Sequence, residues 1–312
     1  MWGISMDNKW IRQIAFPLIA AFIWGTAFVS QSTAAEHMGP FTFNTARCTM
    51  AALFLALVLL GRDIWQKRKK TSSGQNAAPA KRNGKALLIG GFLCGTMLAC
   101  ATNLQQLGLG ETSPGKAAFI SALYVVLVPV FGLVLGKRAR PIIWVGIVLA
   151  TVGLYFLCVT GGMTIEKSDF FVFLCALCFA VHILIIDCVS PRVNGVEVSC
   201  VQFTVVAVES AMGMLLTEQP TWGALLACFW PLFYVGVFSG GVAYTLQILA
   251  QKGANPTVVS LLLCLESVFA VLAAGVLMRD WPTGREWLGC GLMLVAVVIA
   301  QLPEGLFKKK KE

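Results

Sequence analysis

Charge is what this sequence lacks. Only 12% of its 312 residues are Asp, Glu, Lys or Arg, about half the 25% usual in a soluble domain. The shortage is uneven: stretches of about 17–25 residues carry almost none, and each could cross a hydrocarbon core about 30 Å thick. Within lipid every backbone amide must be satisfied inside its own segment, so such stretches read as helices. The alternating polarity of a transmembrane β-barrel is missing. Missing too are a Walker loop, an HExxH helix and a G-x-S-x-G elbow, which excludes ATP hydrolysis by the chain itself and leaves no ground for an enzyme or a bound cofactor. The eleven cysteines fall mostly inside apolar segments, as at Cys94, Cys100, Cys158, Cys228, Cys264 and Cys290. There they act as small hydrophobes, and no disulfide framework follows. Neither end carries a lipidation signature.

What is abundant is apolar length. Hydrophobic residues make up 57%, and spans read at 14–33, 41–60, 85–108, 115–135, 142–160, 168–188, 200–217, 224–250, 256–277 and 286–302. Breakers mark most junctions, among them Gly39-Pro40, Ser113-Pro114-Gly115, Pro141, Gly161-Gly162, Ser190-Pro191, Pro220 and Asn255-Pro256. Lys9 and Arg12 before the apolar run from Ile14 suggest a signal peptide, but the run is long and many spans follow, so it reads as a first membrane helix. The net charge of +9 sits in loops and the C-terminus, which speaks for topology and against nucleic acid as a partner. With the N-terminus cytoplasmic, 19 lysines and arginines fall on the cytoplasmic side. Four fall outside (Lys116, Lys167, Arg279 and Arg285), and Arg47 lies within a span. Cytoplasmic loops carry such an excess, and an even number of spans brings the C-terminus inside as well. The expected organisation is helices one and two in 1–61, a basic and then small, polar linker at 62–84, helices three to five in 85–162, helices six to ten in 163–303, and a basic cytoplasmic tail at 304–312. Lysines of the linker could touch anionic lipid.

The chain matches itself. At an offset of 155, Ala21 meets Ala176, Thr49 meets Thr204, Ala52 meets Ala207 and Leu60 meets Leu215. At an offset of 142, Ala101 meets Ala243, Leu104-Gln105 meets Leu246-Gln247, Pro114 meets Pro256 and Leu123 meets Leu265. The drop between the two offsets falls at the linker. Each half holds five spans, an odd number, so the halves insert in opposite senses. The predicted fold is an all-α integral membrane protein of ten transmembrane helices in two inverted five-helix repeats. Such repeats are a mark of alternating-access transporters, whose sites lie near the midplane between the halves.

At this point the chain resembles the drug/metabolite transporter superfamily, in particular its EamA-type permeases, from about residue 14 to 302. The resemblance rests on Trp24-Gly25 in the first span, Pro40 with Arg47 around the second, and the stretch SALYVVLVPVFGLVLGKRARPIIWVGIVLATVGLYFL at 121–157 with its counterpart at 261–300. Glu266-Ser267 stands where the family has a Glu-Pro pair, and Lys137 and Arg279-Asp280 stand where it often has a glutamate. The resemblance implies ten helices around a central cavity and export or exchange of small metabolites.

Charge at bilayer depth costs roughly 2.5–3.5 kcal/mol on insertion scales, so it tends to face a cavity. Arg47, His182, Glu209 and Glu266 are the candidates. Glu209 follows Gln202 by two helical turns on one face, and a helix–helix hydrogen bond is its plainer reading. Glu266 is the family glutamate, with gating or packing as the alternative to substrate contact. Arg47, one turn after Asn44, could hold a carboxylate bidentately or pair with a glutamate of another span. Cys175, Cys178 and His182 share a face, but one helix rarely supplies a metal's whole coordination sphere, so no metal is expected. Trp24, Gln105, Tyr124, Tyr244 and Gln247 complete the set of candidate substrate contacts, with interhelical packing as the alternative for each. Tyr124 occupies in half one the place of Glu266 in half two. Gly91/Gly95, Gly132/Gly136 and Gly236/Gly240 suit close helix approach.

These readings point to a secondary transporter in the bacterial inner (cytoplasmic) membrane, a monomer or homodimer. Its cargo would be a small polar or amphipathic metabolite, an amino acid or a relative of one. The drive would be protons, with Glu209 and Glu266 as coupling candidates, or a counter-substrate. A flippase or helper for a lipid-linked intermediate is the competing reading.

Overall fold

The computed structural model describes residues 11–35, 37–73, 83–109, 114–137, 139–159, 166–279 and 281–302. Its elements are helical throughout. Helix α1 (Phe16–Ala35) is entered through a π-helical turn at Ile11–Ala15, and α2 (Pro40–Ser73) and α3 (Gly84–Leu109) follow. The fourth span is broken into α4a (Pro114–Ala122) and α4b (Tyr124–Val134). Then come α5 (Pro141–Cys158), α6 (Lys167–Val189) and α7 (Gly195–Thr217). The span α8 (Phe229–Gln251) has a π-helical middle at Tyr234–Ala243 and is preceded by a short helix, Trp222–Ala227. The ninth span is again broken, into α9a (Pro256–Leu263) and α9b (Glu266–Met278), and α10 (Gly284–Gln301) closes the bundle. Among the described residues nine helices are long and apolar enough to cross a membrane, and the first span contains a shorter apolar helix, Arg12–Phe28.

The starts of these helices are written in the sequence. Proline occupies the first turn of α5 and α9a, where its missing N–H costs nothing. Asn194 and Asn255 accept from the backbone N–H of Val196 and Thr257, and capping boxes open α6 (Glu166/Asp169) and α10 (Thr283/Glu286). Two expectations change. Helix α2 runs on to Ser73, so residues 62–73 are helical where the sequence suggests linker chain; Lys, Arg and Gln are good helix formers once their heads are in water, and the Lys69 ammonium lies 5.3 Å from the Trp65 ring one turn away. Residues 74–82 of the expected linker, and the basic tail from 303, lie outside the described residues. The pair Gly132/Gly136 does not mediate a helix crossing. A Cβ on Gly132 would meet nothing closer than Lys137, and Gly136 has φ +76° just past the end of α4b, a conformation only glycine takes without strain.

The packing repeats as the sequence does. Helix α1 lies against α8 and α9, as α6 lies against α3 and α4; α2 lies against α8 as α7 lies against α3; α2 packs on α7, and α5 on α10. Exchanging each span for the one five places on leaves this map unchanged. Small residues set the closest approaches. A Cβ on Gly91 or Gly95 of α3 would strike Val201 or Val205 of α7, and one on Gly236 of α8 would strike the Arg47 carbonyl of α2. In the α5–α10 crossing Gly153 and Gly289 face each other: a Cβ on Gly289 would fall 2.7 Å from the Gly153 carbonyl oxygen. Valine at Gly289 is therefore expected to destabilise the protein by about 1–3 kcal/mol, read as a lower thermal midpoint in detergent. Alanine at Gly291, which meets nothing within 4 Å, should leave that midpoint unchanged; equal loss in both would refute the account.

The two ends of the bundle differ. One gathers Arg62, Lys137, Arg140, Arg192 and Lys252, and is here called the basic end. Its cross-links include Arg62 to Glu197 at 2.9 Å, a Lys137–Asp187 ion pair, Gln13 to the Gly253 carbonyl, and Arg140 to the Ala300 and Leu302 carbonyls. At the opposite end Glu218, after α7, accepts from the backbone N–H of Phe41 and Thr42, so a carboxylate neutralises the positive N-terminus of α2.

Candidate substrate cavity

The two breaks lie at equivalent positions. At Leu123 and Leu265 the amide bonds back three residues, to Ile120 and Leu262, both at 3.2 Å. The dihedral angles match, φ −59° ψ −10° and φ −63° ψ −9°. Each is a tight 3₁₀-type step that starts a new half-helix inside the bundle, and the first residue of each half-helix is a candidate site residue, Tyr124 and Glu266. Broken helices at depth are where transporters place their binding sites. Gly25 holds α1 against the second break, since a Cβ there would come within 2.6 Å of the Glu266 carbonyl.

Between the halves lies a cavity with an empty volume of about 620 Å³, part of it continuous with the outside. Its wall is built largely of repeat mates. At the 155 offset these are Trp24 with Phe179 and Phe28 with Ile183; at the 142 offset, Thr102 with Tyr244, Gln105 with Gln247, Ser121 with Leu263 and Tyr124 with Glu266. The rest of the wall is Gln31, Arg47, His182 and Ser239. The sequence reading does not single out Phe28, Gln31, Thr102, Ser121, Phe179, Ile183, Ser239 and Leu263. The offsets contain the signal for Phe179, the mate of Trp24, and for Thr102, the mate of Tyr244.

A guanidinium and a carboxyl enter this space. Arg47 is only 6% exposed. Its Nε donates to Asn44 Oδ1 at 2.7 Å, Asn44 Nδ2 donates to Asn103 Oδ1 at 2.8 Å, and Asn103 Nδ2 donates to Ser210 Oγ at 2.9 Å. This chain fixes the guanidinium from behind across α2, α3 and α7. Its outer nitrogens meet no carboxylate among the described residues, and the group lies 5.4 Å from the Phe43 ring. The Glu266 carboxyl, on the other side of the repeat, likewise has no hydrogen bond or ion pair among the described residues. Buried polar atoms around it are also unmatched: Tyr124 Oη, Gln247 Oε1 and His182 Nδ1. Native proteins leave few buried polar atoms unpaired, so these three on the cavity wall point to a polar guest or to water.

An aromatic shell completes the wall. The Trp24 and Tyr244 ring centroids are 4.7 Å apart, and Trp24 Nε1 donates to the Ser239 carbonyl. Tyr244 also meets His182 and Phe203 edge-on, and Tyr124 meets Phe179. These contacts hold the rings as rigid walls.

Eight of the eleven candidate residues line the cavity: Trp24, Arg47, Gln105, Tyr124, His182, Tyr244, Gln247 and Glu266. Asn44 stands behind Arg47, and Gln202 stands behind His182 with Oε1 3.3 Å from its Nε2. Glu209 is elsewhere. Its carboxylate accepts from Thr96 Oγ1 at 2.7 Å in the seam between α3 and α7, and it does not line the cavity. Among the described residues no group of three or more His, Cys, Asp or Glu could hold a metal.

The same architecture occurs in known proteins. An uncharacterized transporter of Archaeoglobus fulgidus is 30% identical over 291 residues, spanning 91% of this chain and 84% of that protein. The uncharacterized inner membrane transporter YedA of Escherichia coli K12 is 23% identical over 297 residues, 92% of this chain and 90% of its own length. A solved crystal structure superposes with a TM-score of 0.75 at 17% identity, covering 93% of this chain and 96% of that one, which shows the shared fold. The sequence pattern of the EamA-like transporter family fits residues 11–159 and 166–301, one stretch for each half of the bundle that encloses the cavity, and the chain belongs to that family.

Proposed function

We propose that this membrane transporter is a secondary transporter of small polar or amphipathic metabolites, amino acids or their relatives foremost, working by alternating access in export or exchange. We place it in a bacterial inner membrane with both termini cytoplasmic, the orientation that puts the basic end inside. One observation carries the reading: a guanidinium and a carboxyl, Arg47 and Glu266, enter one cavity without pairing to each other or to any other described charge. A guest with a carboxylate and an ammonium would satisfy both. Its side chain would meet the Trp24–Tyr244 wall, which suits an apolar or aromatic group. The sequence carries no Walker loop, so on this reading a gradient or a counter-substrate drives the cycle.

Counterflow in proteoliposomes tests this. Vesicles preloaded with a panel of amino acids should accumulate the labelled zwitterion, while analogues lacking either the amine or the carboxylate should run far more slowly. Movement of a lipid-linked compound with no amino acid moving would replace this reading with the flippase.

A further inference from the structure

A second open space, about 1850 Å³ and continuous with the exterior, lies at the basic end and shares no lining residue with the cavity. It forms where α2 and α3 stand apart with α7 behind them. Its inner surface is apolar, with Leu59, Leu87 and Val201. Its rim carries four cations, Arg62, Lys67, Arg192 and Lys252, against two acids, Asp63 and Glu197. Both acids face Arg62, at 3.3 and 2.9 Å. Arg192 and Lys252 are exposed and make no ion pair among the described residues.

The depth of this groove is set by α2. Arg62 lies about 33 Å along that helix from Pro40 at 1.5 Å per residue, just beyond a hydrocarbon core of about 30 Å. The rim is thus at headgroup level, as the exposed Trp65 ring also indicates. One turn deeper, Leu57, Leu60, Leu88 and Ile89 are all exposed on α2 and α3, facing acyl chains. The first turns of α3 and α7 also open here, and their positive ends add to the field of the cations.

We infer that this groove binds the phosphate of an anionic phospholipid. The phosphodiester sits against Arg192 and Lys252, and the acyl chains leave the groove past Leu60 and Leu88, the exposed residues that flank it on α2 and α3. The occupant bridges α2, α3 and α7, elements from both halves, so the lipid couples membrane composition to the packing of one half on the other.

The test uses the full chain purified in dodecylmaltoside, with native mass spectrometry and thermal unfolding as readouts. Dioleoylphosphatidylglycerol should be retained and should raise the unfolding midpoint, whereas dioleoylphosphatidylcholine should do neither. The double variant Arg192→Gln/Lys252→Gln should bind phosphatidylglycerol about 30-fold more weakly with an unchanged lipid-free midpoint. A charge-matched control away from the groove, Lys167→Gln/Arg285→Gln, should bind as the parent does. Equal response to the two lipids, undiminished binding by the groove variant, or equal loss in the control would each overturn the proposal. If inorganic phosphate at millimolar concentration alone gave the full shift, the site would be one for soluble phosphate, and the lipid assignment would fail.

Discussion

Glutamine at Glu266 is expected to abolish the response of transport to an imposed pH gradient while exchange without a gradient continues. The carboxyl begins the half-helix after the break at Leu265, lines the cavity, and has no partner among the described residues to hold it in one protonation state. In the proposed alternating-access cycle it would take a proton from one side and release it to the other. Glutamine copies the shape of the protonated acid and cannot release anything. A coupled proton can support accumulation of about tenfold per pH unit, so parent vesicles should concentrate substrate to that degree and Glu266→Gln vesicles should only equilibrate it. Glu209 is the second candidate, but its bond to Thr96 in the α3–α7 seam places it away from the substrate, and Glu209→Gln should keep the response. Full gradient-driven accumulation in both single variants and in the double variant would exclude proton coupling through either residue.

The second large effect is expected at Arg47. Alanine there should slow counterflow of zwitterionic substrates about 100-fold or more, the scale seen when one partner of a desolvated, hydrogen-bonded charge pair is truncated. A generic loss of folding would look different. The thermal midpoint should fall only by the equivalent of about 1–3 kcal/mol, for leaving the buried Asn44 oxygen without its donor, a loss that is the same whichever substrate is offered. Decarboxylated amines should be transported no worse than by the parent. Lysine at Arg47 keeps the charge but gives up the fork geometry and the Nε bond to Asn44, so it should recover only part of the rate. If the zwitterion and the amine slowed together, Arg47 would be a structural residue and the carboxylate assignment would be withdrawn.

The spans are legible in the sequence because apolar length is a property of a whole segment and survives errors at any single residue. The repeat is legible for a related reason: ordered identities at 155 and 142 mark residues such as Gln105 and Gln247, which the fold brings to the same cavity. The breaks at Leu123 and Leu265 are not legible, since leucine is a good helix former and no proline or glycine marks either step. Glu209 shows a different limit. Its spacing from Gln202 does place both on one face of α7, but neighbouring helices cross at an angle. That one face meets His182 of α6 at one level and Thr96 of α3 two turns away. Depth can be counted along a sequence; which neighbour waits at that depth depends on crossing angles set by contacts such as Gly95 against Val205. The helical continuation of α2 to Ser73 is hidden likewise, because a polar helix beyond the membrane shows no apolar stripe to read.

The pairing of cavity residues across the two halves bears on why the halves are joined at all. A symmetric assembly of two identical five-helix subunits would place the same residue at both members of every pair. With arginine at 47, a second arginine would stand at 202, close to the symmetry axis, where α2 packs on α7; with glutamate at 266, a second would stand at 124. Two like charges in a water-poor chamber repel: a pair of carboxyls could share one proton, but a pair of guanidiniums, which stay charged, would remain in conflict. Covalent linkage removes the obligation. The chain keeps Gln202 opposite Arg47 and Tyr124 opposite Glu266, so a scaffold with two-fold packing encloses a chamber with a single positive and a single negative pole. A guest can then bind in only one orientation, and a mirror-image guest would meet the same two poles with its third substituent turned away from the Trp24–Tyr244 wall.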